Sequence, residues 1–410
     1  MELVPRSIAG WAAELLTETP VLVIEGARQV GKSTLAQMLS SDDAEYVSLD
    51  DEVVRAFAKD DPVGFVKSAR ERRLVIDEVQ RCPEIVLPLK AEVDRDRRAG
   101  RFVLTGSANL LRVPGAQDSL AGRAMTIRLL PFSQGELVGR AEDWVAAVLR
   151  GATTGDEVQR ADLIRRITIG GYPPVQRMSR RVRTAWLTDY ANRLVERDSA
   201  DLATAQVPVL RRLLHLIAAA PGQELVLERL AQELGVASRT VSRYVEILES
   251  LFLLQILPSW SRNLTKRQIQ RPKAFLSDTG LASALTGLTS EHLASPHGAD
   301  HLGPLLENFV VAELSKQAGW SSHDFTLSHF RDRNGAEVDV IIETARGVIA
   351  VEVKAAGSAT RSHFKHLITL RERLGGEFLA GIVLNLGAPQ QAGDRLWALP
   401  VTSLWRAASV

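Results

Sequence analysis

"VLVIEGARQVGKSTLAQML" runs from Val21 to Leu39 and joins a short run of apolar, β-branched residues to a stretch of helical character. The first part suits a strand buried on both faces of a parallel sheet. Between strand and helix lies Gly26-Ala27-Arg28-Gln29-Val30-Gly31-Lys32-Ser33, with Thr34 after it, which fits G-x-x-x-x-G-K-[ST]. The chemistry behind that spacing is the capture of a nucleotide's phosphates. Glycines let the backbone turn its N–H groups onto phosphate oxygens, Lys32 neutralises the β and γ oxygens, and the Ser33 hydroxyl is placed to ligate Mg²⁺ at a helix N-terminus. ATP with Mg²⁺ is therefore the expected cofactor, and an α/β fold with a parallel sheet is the expected frame.

Two further apolar runs belong to the same sheet. "RRLVIDEVQ" ends in Asp77-Glu78, where Asp77 is expected to hold Mg²⁺ and Glu78 to polarise the attacking water. "RFVLTGSAN" ends in small polar residues, and Thr105, Ser107 or Asn109 is placed to sense the γ-phosphate or the lytic water. Spacing leaves the choice among these three open.

Composition sets the limits. The chain has 410 residues, enough for several domains, and its 45% hydrophobic and 24% charged content is that of a globular protein. Basic residues number 50 and acidic ones 49, so affinity for nucleic acid has to come from local patches. The single cysteine, Cys82, excludes an intrachain disulfide and a zinc site built on paired cysteines. No continuous run reaches the roughly 18 apolar residues of a membrane span, and the first residues lack a signal-peptide core. A soluble, cytoplasmic protein is expected.

Together the blocks "GARQVGKS", "DEVQ" and "LTGS" resemble those of the AAA+ ATPases, and of a prokaryotic subgroup within them. The resemblance implies ATP hydrolysis at a seam between subunits, with an arginine of one copy reaching the γ-phosphate of the next. In "SLAGRAMTIRLLPFS" the family pattern favours Arg123 over Arg128 for that role. The implied working unit is then a ring, with a hexamer as the expectation. A helical lid should follow, and "GGYPPVQ" looks like the turn, through Gly171 and Pro173, that contacts the base.

Further along, "ELVLERLAQELGVASRTVSRYVEILESLFLLQIL" (Glu224 to Leu257) reads as two helices around a tight turn at Gly235, followed by a strand. Leu227, Leu230, Leu234, Val241, Val245 and Leu248 fall at helical spacing and predict one buried face. Arg239 and Arg243, four apart, share the opposite side, where a DNA-reading helix presents its contacts. The connection "PSWSRNLTKRQIQRP" leads to the strand "KAFLS" and completes a winged-helix pattern. It offers Arg262, Lys266, Arg267, Arg271 and Lys273 to a phosphate backbone, with Trp260 available for stacking.

The last third carries a second constellation. Glu307 lies in the helix-like "GPLLENFVVAELSKQ", Asp339 in the strand-like "GAEVDVII", and Glu352 with Lys354 in "VIAVEVKAA". Alternation puts Glu352 and Lys354 on one side of their strand. The set resembles the PD-(D/E)xK nuclease fold, which implies carboxylates on Mg²⁺ and a lysine beside the attacking water. Val338 stands where the name-giving motif has proline.

The expected organisation is an AAA+ P-loop domain over 1–137, a helical lid and linker over 138–205, a winged helix over 206–280 and a restriction-endonuclease-like α/β domain over 281–410. The linker includes Arg197-Asp198, read as an amphipathic helix with an internal ion pair. This order resembles a group of bacterial and archaeal ATPases and, at the level of architecture, the Holliday-junction branch-migration motor. Three functions stay open: an oligomeric ATPase that remodels or moves along duplex or branched DNA, an ATP-gated metal-dependent nuclease, and a nucleotide switch acting on protein partners.

Overall fold

The computed structural model describes residues 3–40, 44–69, 71–106, 120–151, 155–200, 206–263, 267, 270–332 and 335–406, the side chains of 197–200 excepted. Ser107, Asn109 and Lys266, and the side chains of Arg197 and Asp198, lie outside the described residues. The chain divides into two compact units, 1–130 and 131–410.

In the first unit, β1 (Val21–Glu25), β2 (Ala44–Ser48), β3 (Arg73–Asp77), β4 (Phe102–Gly106) and β5 (Ala124–Arg128) form one sheet in the order β2-β3-β4-β1-β5. Every pairing is parallel. Among the described residues its helices are α1 (Ala9–Glu18), α2 (Lys32–Met38), α3 (Glu52–Asp60), α4 (Pro62–Lys67) and α5 (Val86–Arg95). The apolar runs of β1, β3 and β4 become central strands because they are buried along nearly their whole length. Val21, Val23, Leu74, Ile76, Phe102 and Leu104 share one core with Leu49, Phe65, Leu89 and Val93 from outside these strands. Since Ile24 pairs with Thr105 and Ser48 with Asp77, the carboxyl ends of these strands finish at one edge, where ligands of open parallel sheets bind.

The second unit holds a mixed six-stranded sheet, order β12-β13-β11-β10-β9-β8, made from β8 (Phe325–Arg331), β9 (Glu337–Thr344), β10 (Gly347–Val353), β11 (Phe378–Asn385), β12 (Gln390–Gly393) and β13 (Leu396–Pro400). Helix Lys365–Leu374 packs Leu367, Leu370 and Leu374 against Val338, Ile341, Val348 and Ala350. The unit also contains helices Val207–Ala219, Leu227–Leu234 and Ser238–Ser250, followed by the antiparallel pair β6 (Leu254–Leu257) and β7 (Lys273–Leu276). Of the six apolar residues picked out by periodicity, Leu230, Leu234, Val241, Val245 and Leu248 are buried and Leu227 is half-buried. Among the described residues, no helix is long and apolar enough to cross a membrane.

Candidate nucleotide site

The loop after β1 has the backbone that its glycines allow. A Cβ on Gly26 would lie 2.2 Å from the Leu129 carbonyl oxygen, and Gly31 sits at φ +98°, so both positions exclude larger residues. Gln29 adopts φ 65° between them. Lys32, 5% exposed, folds back so that its ammonium donates to the carbonyls of Gly26 (3.1 Å) and Ala27 (2.9 Å). Burial lowers its pKa, with Glu78 and then Asp77 acting in the opposite sense. The loop is braced from upstream: the Arg6 guanidinium donates to Val30 O at 2.8 Å and to Leu130 O at 2.6 Å.

Neighbouring strand ends complete the site. The Ser33 hydroxyl donates to Asp77, 2.9 Å and 3.0 Å from its two carboxylate oxygens. Thr105, fully buried on β4, donates its hydroxyl proton to Asp77 and accepts the Glu78 N–H at 3.1 Å. Thr105 thus links Asp77 to the Glu78 backbone. Glu78 takes φ 58°, a left-handed conformation that costs a residue with a Cβ on the order of 1 kcal/mol. Its carboxylate accepts from the Gln80 amide. The Tyr46 hydroxyl also lies close to Asp77 and Ser33, and burial, followed by the Asp77 charge, pushes it up to about 12. A hydroxyl and a carboxylate brought together are hard oxygen donors, and this set fits Mg²⁺.

Arg123 grips Asp94 through two bonds, 2.7 Å and 2.9 Å, and holds that carboxyl below the usual range. The Gly171 N–H donates to Asp278 at 2.6 Å, and a Cβ on Gly171 would meet the Phe132 carbonyl oxygen at 2.2 Å. Pro173 opens a short 3₁₀ turn that ends at Arg177.

The wing departs from expectation. Trp260 is only 5% exposed, shares a core with Val338 and Phe364, and meets Phe330 edge-on, so it is no stacking platform. Arg267 makes a two-pronged ion pair with Glu343 on β9, 2.6 Å and 2.8 Å, and lies over the Trp260 ring. Arg262 pairs with Glu377 at 2.9 Å. Lys273 is 3% exposed and inaccessible to a phosphate backbone; its ammonium lies 2.9 Å from Glu307 and 2.8 Å from Glu337. Edge pairing explains the difference: Ser259 bridges to His329 on β8, and Trp260 N–H donates to the His329 carbonyl at 2.6 Å, so the connection is sewn to the six-stranded sheet. Arg239, Arg243 and Arg271 remain exposed.

Glu307, Asp339, Glu352 and Lys354 do converge. β9 and β10 are antiparallel up to Val340↔Val351, which leaves Asp339 and Glu352 at the point where the hairpin opens. There Asp339 accepts the Val353 N–H at 2.8 Å, and Lys354 pairs with Glu352 at 2.6 Å. Burial, reinforced by Asp339, raises Glu307 to about 8 and Glu352 to about 7. Among the described residues, no group of three or more His, Cys, Asp or Glu side chains is disposed to hold a metal ion. The implied Mg²⁺ ligation therefore does not fit here, because ammonium groups already contact Glu307 and Glu352. Glu337 was detectable in the sequence, standing two residues before Asp339 on one strand; Arg6 and Tyr46 carry no local signal.

Residues 18–138 match a family model described as an AAA domain. The first unit is an AAA module. Nucleotide binding and the general capacity to hydrolyse ATP come with that membership. Residues 160–292 and 302–404 match two models, each described as a domain of unknown function. Uncharacterized proteins of Mycobacterium tuberculosis and Mycobacterium bovis are each 29% identical over 373 residues, covering 89% of this chain and 78% of theirs. Among solved structures, the Thermotoga maritima RuvB Holliday junction branch migration motor aligns at TM-score 0.29 with 21% identity, over 62% of this chain and 90% of that one. AMPPCP-bound DnaA from Aquifex aeolicus aligns at TM-score 0.26 with 14% identity, over 59% and 86%.

Proposed function

We propose that the AAA module hydrolyses ATP with Mg²⁺ and that its turnover is coupled to duplex or branched DNA held by the helix Ser238–Ser250. One observation carries the hydrolytic part: Ser33, Asp77, Thr105 and the Glu78 backbone form one hydrogen-bonded set beside Lys32. Mg²⁺-ATP supplies the scissile triphosphate and a Lewis acid when bound. Lys32 leaves its two loop carbonyls to neutralise phosphate oxygens. Ser33 and Asp77 would hold the cation, Thr105 would fix the Asp77 carboxylate, and Glu78 would orient and deprotonate the attacking water. Arg123 acts on a neighbouring copy in a ring, which requires it to leave Asp94.

The DNA part rests on Arg239 and Arg243, both exposed on one helix. ATPase assays on the full chain with and without four-way or forked DNA test it. Stimulation that disappears in the Arg239→Ala/Arg243→Ala double variant supports the reading; turnover indifferent to DNA at low salt removes it. The engagement of Arg262, Arg267 and Lys273 by carboxylates favours a second reading, in which this unit contacts protein and the module is a switch. That reading predicts slow turnover under every DNA condition.

A further inference from the structure

We propose that the Lys273 ammonium is the resident cation of the Glu307, Glu337, Asp339 and Glu352 cluster, standing where a divalent ion would otherwise sit, so that the nuclease-like domain is a charge-locked joint without metal-dependent cleavage. The proposal is independent of the reading of the AAA module.

The position of the ammonium decides the matter. It is 2.9 Å from Glu307 Oε1 and 2.8 Å from Glu337 Oε1, two carboxylates contributed by different elements, the helix Ala299–Gln317 and β9. A divalent cation bridging the same two oxygens would lie about 2.0–2.6 Å from each, which places it in the space the nitrogen fills. Like charges at that separation cannot share the site. Lys354 takes Glu352 Oε1 and the Val353 N–H takes Asp339 Oδ2, while Glu352 Oε2 is buried without a hydrogen-bond partner.

Lys273 also cannot readily leave. Its backbone is registered against Leu257 in β6 and bridged to Glu224. The next residue, Ala274, donates its N–H to Gln223 O at 3.2 Å and accepts from Gly222 N–H at 2.9 Å. Beyond it, Leu276 exchanges two bonds with the Asn308 side chain on the helix that carries Glu307. Buried His329, whose Nε2 faces the Arg271 carbonyl at 3.1 Å, is pushed down to about 4 by burial and by Lys273, so it stays neutral beside the ammonium. Removing one partner from a buried ionic set leaves the others uncompensated, and the cluster of carboxylates becomes a cation trap once the lysine charge is gone.

Mn²⁺ titration of the full chain without nucleotide, followed by electron paramagnetic resonance, tests this directly. Wild-type protein should show no saturable site that Asp339→Asn removes, and should leave supercoiled plasmid uncut in Mn²⁺. Lys273→Met keeps side-chain bulk and deletes the charge; it should gain one Mn²⁺ equivalent with at least about tenfold tighter binding, lost again in Lys273→Met/Asp339→Asn. A folded Lys273→Met protein that gains no site overturns the proposal. So does a wild-type Mn²⁺ site or plasmid cleavage abolished by Asp339→Asn, a comparison that holds even where Lys273→Met does not fold.

Discussion

Two clusters of carboxylates stand in this molecule, one at the carboxyl end of β3 and one between the helix Ala299–Gln317 and β9, and they are satisfied in opposite ways. Asp77 is held by the hydroxyls of Ser33 and Thr105, which are neutral donors. Glu307 and Glu337 share an ammonium 2.9 Å and 2.8 Å away, a charged donor built into the fold. Carboxylates therefore meet neutral donors in one unit and ammonium groups in the other. What separates them is the donor set.

The largest effect should come from the first cluster. Glu78→Gln should lower ATP turnover about a thousandfold while nucleotide still binds, as read by phosphate release beside a fluorescent-nucleotide titration; turnover near wild type would strip Glu78 of its role. In the second cluster the loss should fall on stability. Lys273→Ala should destabilise the second unit by about 3 kcal/mol, visible as a lower urea midpoint, and an unchanged midpoint would mean that the ammonium is not a structural cation. Thr105→Val, which keeps shape and removes the hydroxyl, should cost turnover about tenfold through a misplaced Asp77, with little change in unfolding.

The smallest effect concerns pH. Glu307 and Glu352 titrate in the folded state near 8 and 7, above their ordinary value of 4.5. The folded protein thus keeps protons that the unfolded chain releases between those values. Stability from this cluster should be highest below pH 4.5 and fall as pH rises toward 8. Glu307→Gln should flatten the slope in thermal melts recorded from pH 5 to 8, and an equally steep slope in that variant would place the titration elsewhere.

What could be read in advance followed from locality. The phosphate loop, Asp77 at the end of β3 and Thr105 on β4 each depend on an apolar run and the few residues after it, and parallel pairing then places them at one edge. The helices Leu227–Leu234 and Ser238–Ser250 were legible for the same reason, a 3.6-residue rhythm. The fate of the basic connection was not legible. Composition made Lys273 look like a phosphate contact, but its partners are 34 and 64 residues away, a separation no local pattern encodes. Trp260 was misread likewise, because its burial depends on Val338 and Phe364.

The Arg6 guanidinium, clasping Val30 and Leu130, extends the functional boundary of the first unit beyond its signature. A fragment trimmed to 18–138, the span of the AAA match, would retain each residue of the phosphate loop yet lose the strut that sets its curvature. Such a fragment should grip nucleotide more weakly than the intact chain, and adding back α1 together with Arg6 before it should restore the hold.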